Sequence, residues 1–163
     1  MGFDLAHINF IIRAIAPRCA WIFPAVFFGL WVLTLLSLPV PLRPIIPEHQ
    51  NWLVWLLYQF LYVAVAEEVF FRGYVQANTM TLLRRSTRLS GIERQCIAVF
   101  VSAGCFTLAH VVVQGQIIPL LTFLPGLVFA WLFARTGSLL APILFHGLAN
   151  VSYAIMAMML AQP

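Results

Sequence analysis

Long apolar stretches dominate this chain and limit the folds that are open to it. An α-helix needs about 20 mostly apolar residues to cross a bilayer. Of the 163 residues, 63% are hydrophobic and 9% are charged, whereas a soluble domain carries about 25% charged residues. The sequence therefore predicts an all-α integral membrane protein, a polytopic helix bundle with about five transmembrane helices.

The predicted spans follow one another with short breaks, and these breaks are rich in proline, arginine or glycine. The predicted helices cover residues 19–38, 52–83, 96–113, 117–134 and 138–160. We expect residues 2–16 to form either an interfacial amphipathic helix or an extension of the first span. The whole chain, 1–163, is predicted to be a single membrane domain with a catalytic core over about 55–155.

All nine basic residues are arginines, and their distribution indicates an orientation in the membrane. Short loops rich in positive charge tend to stay in the cytoplasm. Arginines precede the first span, cluster between the second and third, and follow the fourth, whereas the opposite loops carry only Arg43. We therefore expect a cytoplasmic N-terminus. No basic surface interleaved with aromatic residues is visible, so we expect no nucleic acid partner.

Five ionisable side chains interrupt the predicted spans. A charge at the centre of a bilayer costs about 2.5–3.5 kcal/mol on insertion scales, and such residues usually mark a functional site. The five are Glu67, Glu68, Arg72, His110 and His146, and the amide of Asn150 accompanies them.

The spacing within the second span separates the roles of its two acids. Glu68 and Arg72 are four residues apart with the acid first, the favourable order for a helical ion pair. Glu67 lies about 100° round the helix from Glu68, so it can face a cavity as a general base. In the alternative interpretation, all three side chains form one buried ion cluster that only fixes helix packing.

Depth in the membrane provides a test of the second span. If that helix ended near residue 72, Glu67 and His110 would lie more than about 10 Å apart in depth. A longer, tilted helix over 52–83 removes most of this mismatch. It also predicts a water-filled cavity that opens to the cytoplasm.

The two histidines and Asn150 suggest two further roles. Taken alone, a histidine in an apolar helix is more often a hydrogen-bonding residue between helices than a catalyst. With Glu67 in the same bundle the catalytic role is favoured, because the two side chains can hold a water molecule and Glu67 then removes its proton. His146 and Asn150, four residues apart, can both donate to an oxyanion, although an amide in a membrane also joins helices.

We expect other polar residues of the spans to bond mainly to backbone: Gln59, Gln76, Asn78, Thr107 and Thr122.

Three motifs in order along the chain resemble those of a known family, the type II CAAX endopeptidase group of CAAX prenyl proteases and bacteriocin-processing or self-immunity enzymes. They are Glu67-Glu68-x-x-x-Arg72, Phe106-x-x-x-His110 and His146-x-x-x-Asn150. The resemblance implies an intramembrane glutamate-type endopeptidase. It assigns water activation to Glu67 and His110, the oxyanion hole to His146 and Asn150, and a supporting role to Glu68 and Arg72.

The resemblance also sets expectations about partners and location. The chain is shorter than eukaryotic CAAX proteases, so we expect a membrane protein or peptide substrate in a bacterial inner membrane. No cofactor and no metal are expected. Three alternatives stay open: a zinc metalloprotease with Glu67, His110 and His146 as ligands, a non-enzymatic immunity or scaffold protein, and a proton or ion pathway.

Overall fold

The computed structural model describes residues 5–35, 51–116 and 118–160, and these ranges contain helices and turns with no strand. This confirms the predicted all-α fold class. The helices are α1, Leu5–Leu35; α2, Trp52–Leu83; α3, Gly91–Gln114; α4, Phe123–Thr136; and α5, Leu140–Leu160, with a 3₁₀ turn over Ile118–Thr122 before α4. Residues 36–38 of the first predicted span, and the proline-rich loop after it, lie outside the described residues.

Among the described residues, four helical stretches are long and apolar enough to cross a membrane: α2, α3, the 3₁₀ turn together with α4 (Pro119–Thr136), and α5. Helix α1 contains the described part of the first predicted span. Because α1 runs without a break from Leu5, residues 5–16 extend that span, which agrees with the second of the two alternatives for the N-terminal segment.

Helix α2 is the long helix that the depth argument requires, but its turns are not uniform. Two π-helical segments, Tyr58–Ala64 and Val69–Gln76, flank one α-helical turn at Val65–Glu68. That turn carries the two acids of the first motif. π-Helical turns occur frequently at functional sites, and here they surround the predicted one.

Local capping explains where α3 begins and ends. The Ser90 hydroxyl accepts from the backbone N–H of Glu93, and the Glu93 carboxylate accepts from the N–H of Ser90. This capping box starts α3 at Gly91, five residues earlier than predicted. Gly115 ends the helix at φ 62° and Gly137 ends α4 at φ 65°, a left-handed conformation that favours glycine. Both glycines lie in breaks between the predicted spans.

The chain divides into two compact units. The first consists of residues 1–64 together with 144–163, and the second of Val65–Ile143. In the first unit the buried apolar residues include Trp55 of α2 and Phe145, Ala154 and Ala157 of α5. The second unit contains the remainder of α2, with α3 and α4 packed beside it.

Within the second unit, backbone carbonyls of α4 accept hydrogen bonds from side chains of the neighbouring helices. These acceptors recur every fourth residue, along one side of α4, and a carbonyl oxygen has two lone pairs, so it can serve the helix and a side chain together. The bonds are Arg72 to Gly126, Gln76 to Ala130 and Gln95 to Ala134, at 3.0, 2.9 and 3.2 Å. These bonds fix the positions of α2 and α3 along the axis of α4.

Many large apolar side chains point away from the protein. Trp21, Ile92, Val112 and Val113 are each more than three-quarters exposed. A soluble monomer rarely exposes contiguous apolar surface on this scale, whereas lipid tails accommodate it. The exposed surface therefore agrees with the apolar spans.

Candidate active site

Glu68 and Arg72 form the ion pair that the spacing predicts. The Arg72 guanidinium donates from Nη1 to Glu68 Oε1 at 3.1 Å, and its Nε lies 3.0 Å from Oε2. Both side chains are fully buried. Because both oxygens of Glu68 face this guanidinium, in the bidentate geometry that makes such pairs strong, Glu68 is committed to Arg72.

Aromatic rings surround the Arg72 charge. Its guanidinium carbon lies 4.7 Å from the ring centre of Phe106, 5.2 Å from that of Phe129 and 5.9 Å from that of Phe71. Ring faces attract a cation within about 6 Å, so these contacts offset part of the cost of burying it. Phe106 belongs to the second motif, four residues before His110, and therefore links the ion pair to the histidine.

Glu67 and His110 form the second pair of the site. His110 Nε2 lies 3.9 Å from Glu67 Oε2, and the two side chains are 23% and 29% exposed. Glu68 and Arg72 have no exposed surface at all. Of the two adjacent acids, Glu67 is thus the one that a water molecule or a substrate can reach. The predicted mismatch in depth does not arise with the long α2.

The hydrogen bond at the other ring nitrogen of His110 determines its tautomer. His110 Nδ1 lies 2.9 Å from the carbonyl oxygen of Phe106. A carbonyl oxygen only accepts, so Nδ1 carries the proton, and in the neutral ring Nε2 then has a lone pair. In that neutral tautomer, Nε2 and the Glu67 carboxylate are two acceptors that face each other.

The distance between these two acceptors can be compared with the distance that one bridging water needs. One water that donates to two acceptors at about 2.8 Å each holds them roughly 4–4.5 Å apart, close to the 3.9 Å observed between His110 Nε2 and Glu67 Oε2. A direct hydrogen bond at that distance is ruled out because it exceeds the usual range. The distance alone is compatible with a shared water, and Glu67 Oε2 itself is buried.

The third motif lies in the first unit, on α5. His146 is buried, and Asn150 is half-buried. Asn150 donates from Nδ2 to the side-chain oxygen of Gln59 on α2 at 3.0 Å. Gln59 and Asn150 belong to the same unit, whereas Glu67, Glu68, Arg72 and His110 lie together in the other.

Gln59 is the residue whose contact the sequence did not reveal. Four of the five additional polar residues bond to backbone carbonyls as expected. The pairs are Gln76 to Ala130, Asn78 to Tyr74, Thr107 to Ala103 and Thr122 to Pro119. Gln59 bonds to a side chain of a proposed active-site residue. Gln59 and Gln76 are both amides in apolar stretches, so residue type alone does not distinguish the one that bonds to a side chain from the one that bonds to backbone.

A cavity of about 510 Å³ lies elsewhere in the second unit, between the beginning of α3 and the end of α4. Its polar lining includes Gln95 and Arg135, and Trp131 and Phe100 contribute aromatic walls. Neither Glu67 nor His110 lines it. Among the described residues, no group of three His, Cys, Asp or Glu side chains is arranged to hold a metal ion.

A comparison of the chain with protein-family models identifies the family to which it belongs. The profile of the type II CAAX prenyl endopeptidase Rce1-like family matches residues 49–152, a range that includes all three motifs. The chain belongs to this family. No curated protein and no solved structure gives a significant match to the chain. Membership in the type II CAAX prenyl endopeptidase family, together with the apolar helices, identifies an integral membrane protein of an intramembrane protease family.

Proposed function

We propose that this protein is a glutamate-type intramembrane endopeptidase that hydrolyses a peptide bond of a membrane-associated protein or peptide. The arrangement of Glu67 and His110 carries the proposal: Glu67 Oε2 and His110 Nε2 lie 3.9 Å apart, on side chains that are both partly exposed. Family membership supports the protease class. The geometry supports water as the nucleophile.

The first step is attack by water on the carbonyl carbon of the scissile bond. His110 Nε2 and Glu67 hold the water, and the Glu67 carboxylate takes its proton as the oxygen adds. The phenylalanine carbonyl behind His110 keeps the ring in the tautomer that accepts from water. The product of this step is a tetrahedral intermediate with a negative oxygen.

His146 and Asn150 bind that oxygen, in the role that the family resemblance implies. Both side chains donate hydrogen bonds, and donors already in place stabilise an oxyanion more than water does. Glu67 then gives its proton to the leaving nitrogen, the C–N bond breaks, and a new carboxyl terminus and a new amine are released.

The ion pair of Glu68 and Arg72 has a separate purpose. It holds α2 against α4 through the carbonyl of Gly126 and against α3 through the ring of Phe106. These contacts place Glu67, next to Glu68 on α2, opposite His110 on α3. We therefore propose that the ion pair supports the site without touching the substrate.

The experiment that tests the proposal compares the termini of membrane proteins in cells that carry the native chain or Glu67→Gln. We expect at least one new terminus that is present with the native chain and lost in Glu67→Gln. Glu93→Gln is the matched control, since it removes the same charge from the start of α3, where Glu93 only caps the helix. Identical termini in all three cell lines would contradict the proposed activity.

A further inference from the structure

We propose that Gln59 is a positioning residue that turns the amide of Asn150 so that an N–H faces the oxyanion. The inference rests on the proposed role of Asn150 as an oxyanion donor. It assigns a function to a residue outside the three motifs.

Gln59 is a polar side chain in an apolar environment. It is 7% exposed and lies in the π-helical segment Tyr58–Ala64 of α2. Burying an amide without a hydrogen bond costs about 1–3 kcal/mol in proteins, so a buried glutamine needs a partner. Its side-chain oxygen has one in Asn150.

The direction of this bond fixes the orientation of the Asn150 amide. The Gln59 oxygen can only accept, so Asn150 must present Nδ2 to it. That nitrogen carries two N–H groups, and one is used by Gln59. The second is directed about 120° away on a residue that is half-buried, and in this proposal it donates to a substrate oxygen.

Loss of the Gln59 oxygen would release this constraint. An asparagine amide can turn over about its last side-chain bond, which exchanges its donor and acceptor ends with little change in shape. The turned amide would direct Oδ1 at the oxyanion, and two acceptors repel each other. The effect should appear in kcat, because the oxyanion forms only in the transition state.

A second contact joins the same two segments. A Cβ at position 147 would lie 2.4 Å from the ring of Phe60, the residue after Gln59. The ring therefore packs directly on Gly147, which follows His146 on α5, and a side chain at position 147 would displace it.

The test is a double-mutant cycle on the purified chain in detergent micelles. Its substrate is a peptide that spans the cut site found from the membrane-protein termini. The variants are Gln59→Met, Asn150→Ala and the two combined. The matched control is Gln76→Met, which removes another buried glutamine amide, one that bonds only to the backbone carbonyl of Ala130.

We expect Gln59→Met to lower kcat about tenfold with KM unchanged, and Asn150→Ala to lower it by about 10²–10³, the loss typical of an oxyanion donor. The combined variant should be no slower than Asn150→Ala alone, because residues that act through one another are not additive. Gln76→Met should keep the native kcat.

Each other outcome is decisive. If Gln59→Met keeps the native kcat while Asn150→Ala is impaired, the positioning role is wrong and the proposed function stands. Losses that multiply in the combined variant overturn the inference as well, because Gln59 would then act independently of Asn150. If Asn150→Ala alone keeps the native kcat, its proposed role fails and the role of Gln59 fails with it.

A second variant covers the case in which Gln59→Met does not fold. Gln59→Glu keeps the length of the side chain and an acceptor oxygen, but adds a carboxyl group beside the oxyanion site. Its kcat relative to the native chain should fall as the pH rises, because an ionised carboxylate opposes the developing negative charge. A ratio that stays near one at every pH would contradict the inference.

Discussion

The guanidinium of Arg72 donates to the carbonyl oxygen of Gly126 at 3.0 Å and thereby joins α2 to α4 across 54 positions of the chain. The same guanidinium binds both oxygens of Glu68. This buried cation thus holds α2 against α4 within the second unit. The site residue Glu67 lies one position from its ion-pair partner.

The substitution Arg72→Met should destabilise the protein strongly. It leaves Glu68 as an uncompensated buried charge, and breaking a buried pair in this way costs about 3–5 kcal/mol. The combined variant Arg72→Met with Glu68→Gln should recover much of this loss, since it buries no charge. Thermal unfolding in detergent measures both. If Arg72→Met alone unfolds at the native temperature, the ion pair does not hold the fold.

The substitution Gly126→Ala should also destabilise, although alanine favours a helix. The added Cβ would lie 3.2 Å from Phe106 Cδ1. That ring cannot easily shift because it packs edge to face with Phe71 and Phe129 and at a tilt against His110. Overpacking of this kind costs about 1–3 kcal/mol.

Gly104→Ala is the control for Gly126→Ala. A Cβ at Gly104 meets nothing within 4 Å, so this variant should gain about 0.5–1 kcal/mol from helix propensity. Unfolding temperatures that change in the same direction for both variants would show that the close contact between Gly126 and Phe106 is unimportant.

Peptidase activity should survive removal of metal ions. In the proposed mechanism Glu67 and His110 bind and deprotonate water directly, so a strong chelator should leave kcat unchanged. The zinc alternative, with Glu67, His110 and His146 as ligands, requires loss of activity in chelator and its return on addition of Zn²⁺. Activity assays before and after dialysis against chelator, with metal content measured in parallel, distinguish the two.

The sequence predicts the helices well because the apolar stretches and their breaks have strong signatures. The long α2 follows from a depth argument about Glu67 and His110, and the structure has that helix. The predicted third span begins at residue 96, five residues after the observed start of α3, because the segment before it is polar and hydropathy alone assigns it to a loop. The Ser90 and Glu93 capping box, visible in the sequence, was the signal that corrects it.

The sequence predicts the contacts of the site only in part. The Glu68 and Arg72 pair follows from helical spacing and is confirmed. The Gly126 acceptor could not be predicted, since a backbone carbonyl leaves no signature in the side chains. The bond from Asn150 to Gln59 spans 91 positions and depends on how α5 packs against α2, which spacing along one helix does not specify.

The most direct test of the account is the turnover of Glu67→Gln. This variant keeps the shape of the side chain and removes its ability to take a proton, so the fold should persist. We predict that kcat falls by at least about 10², the range of general base catalysis, with an unfolding temperature close to that of the native chain. A folded Glu67→Gln protein that cleaves its substrate at the native rate would contradict the proposed mechanism.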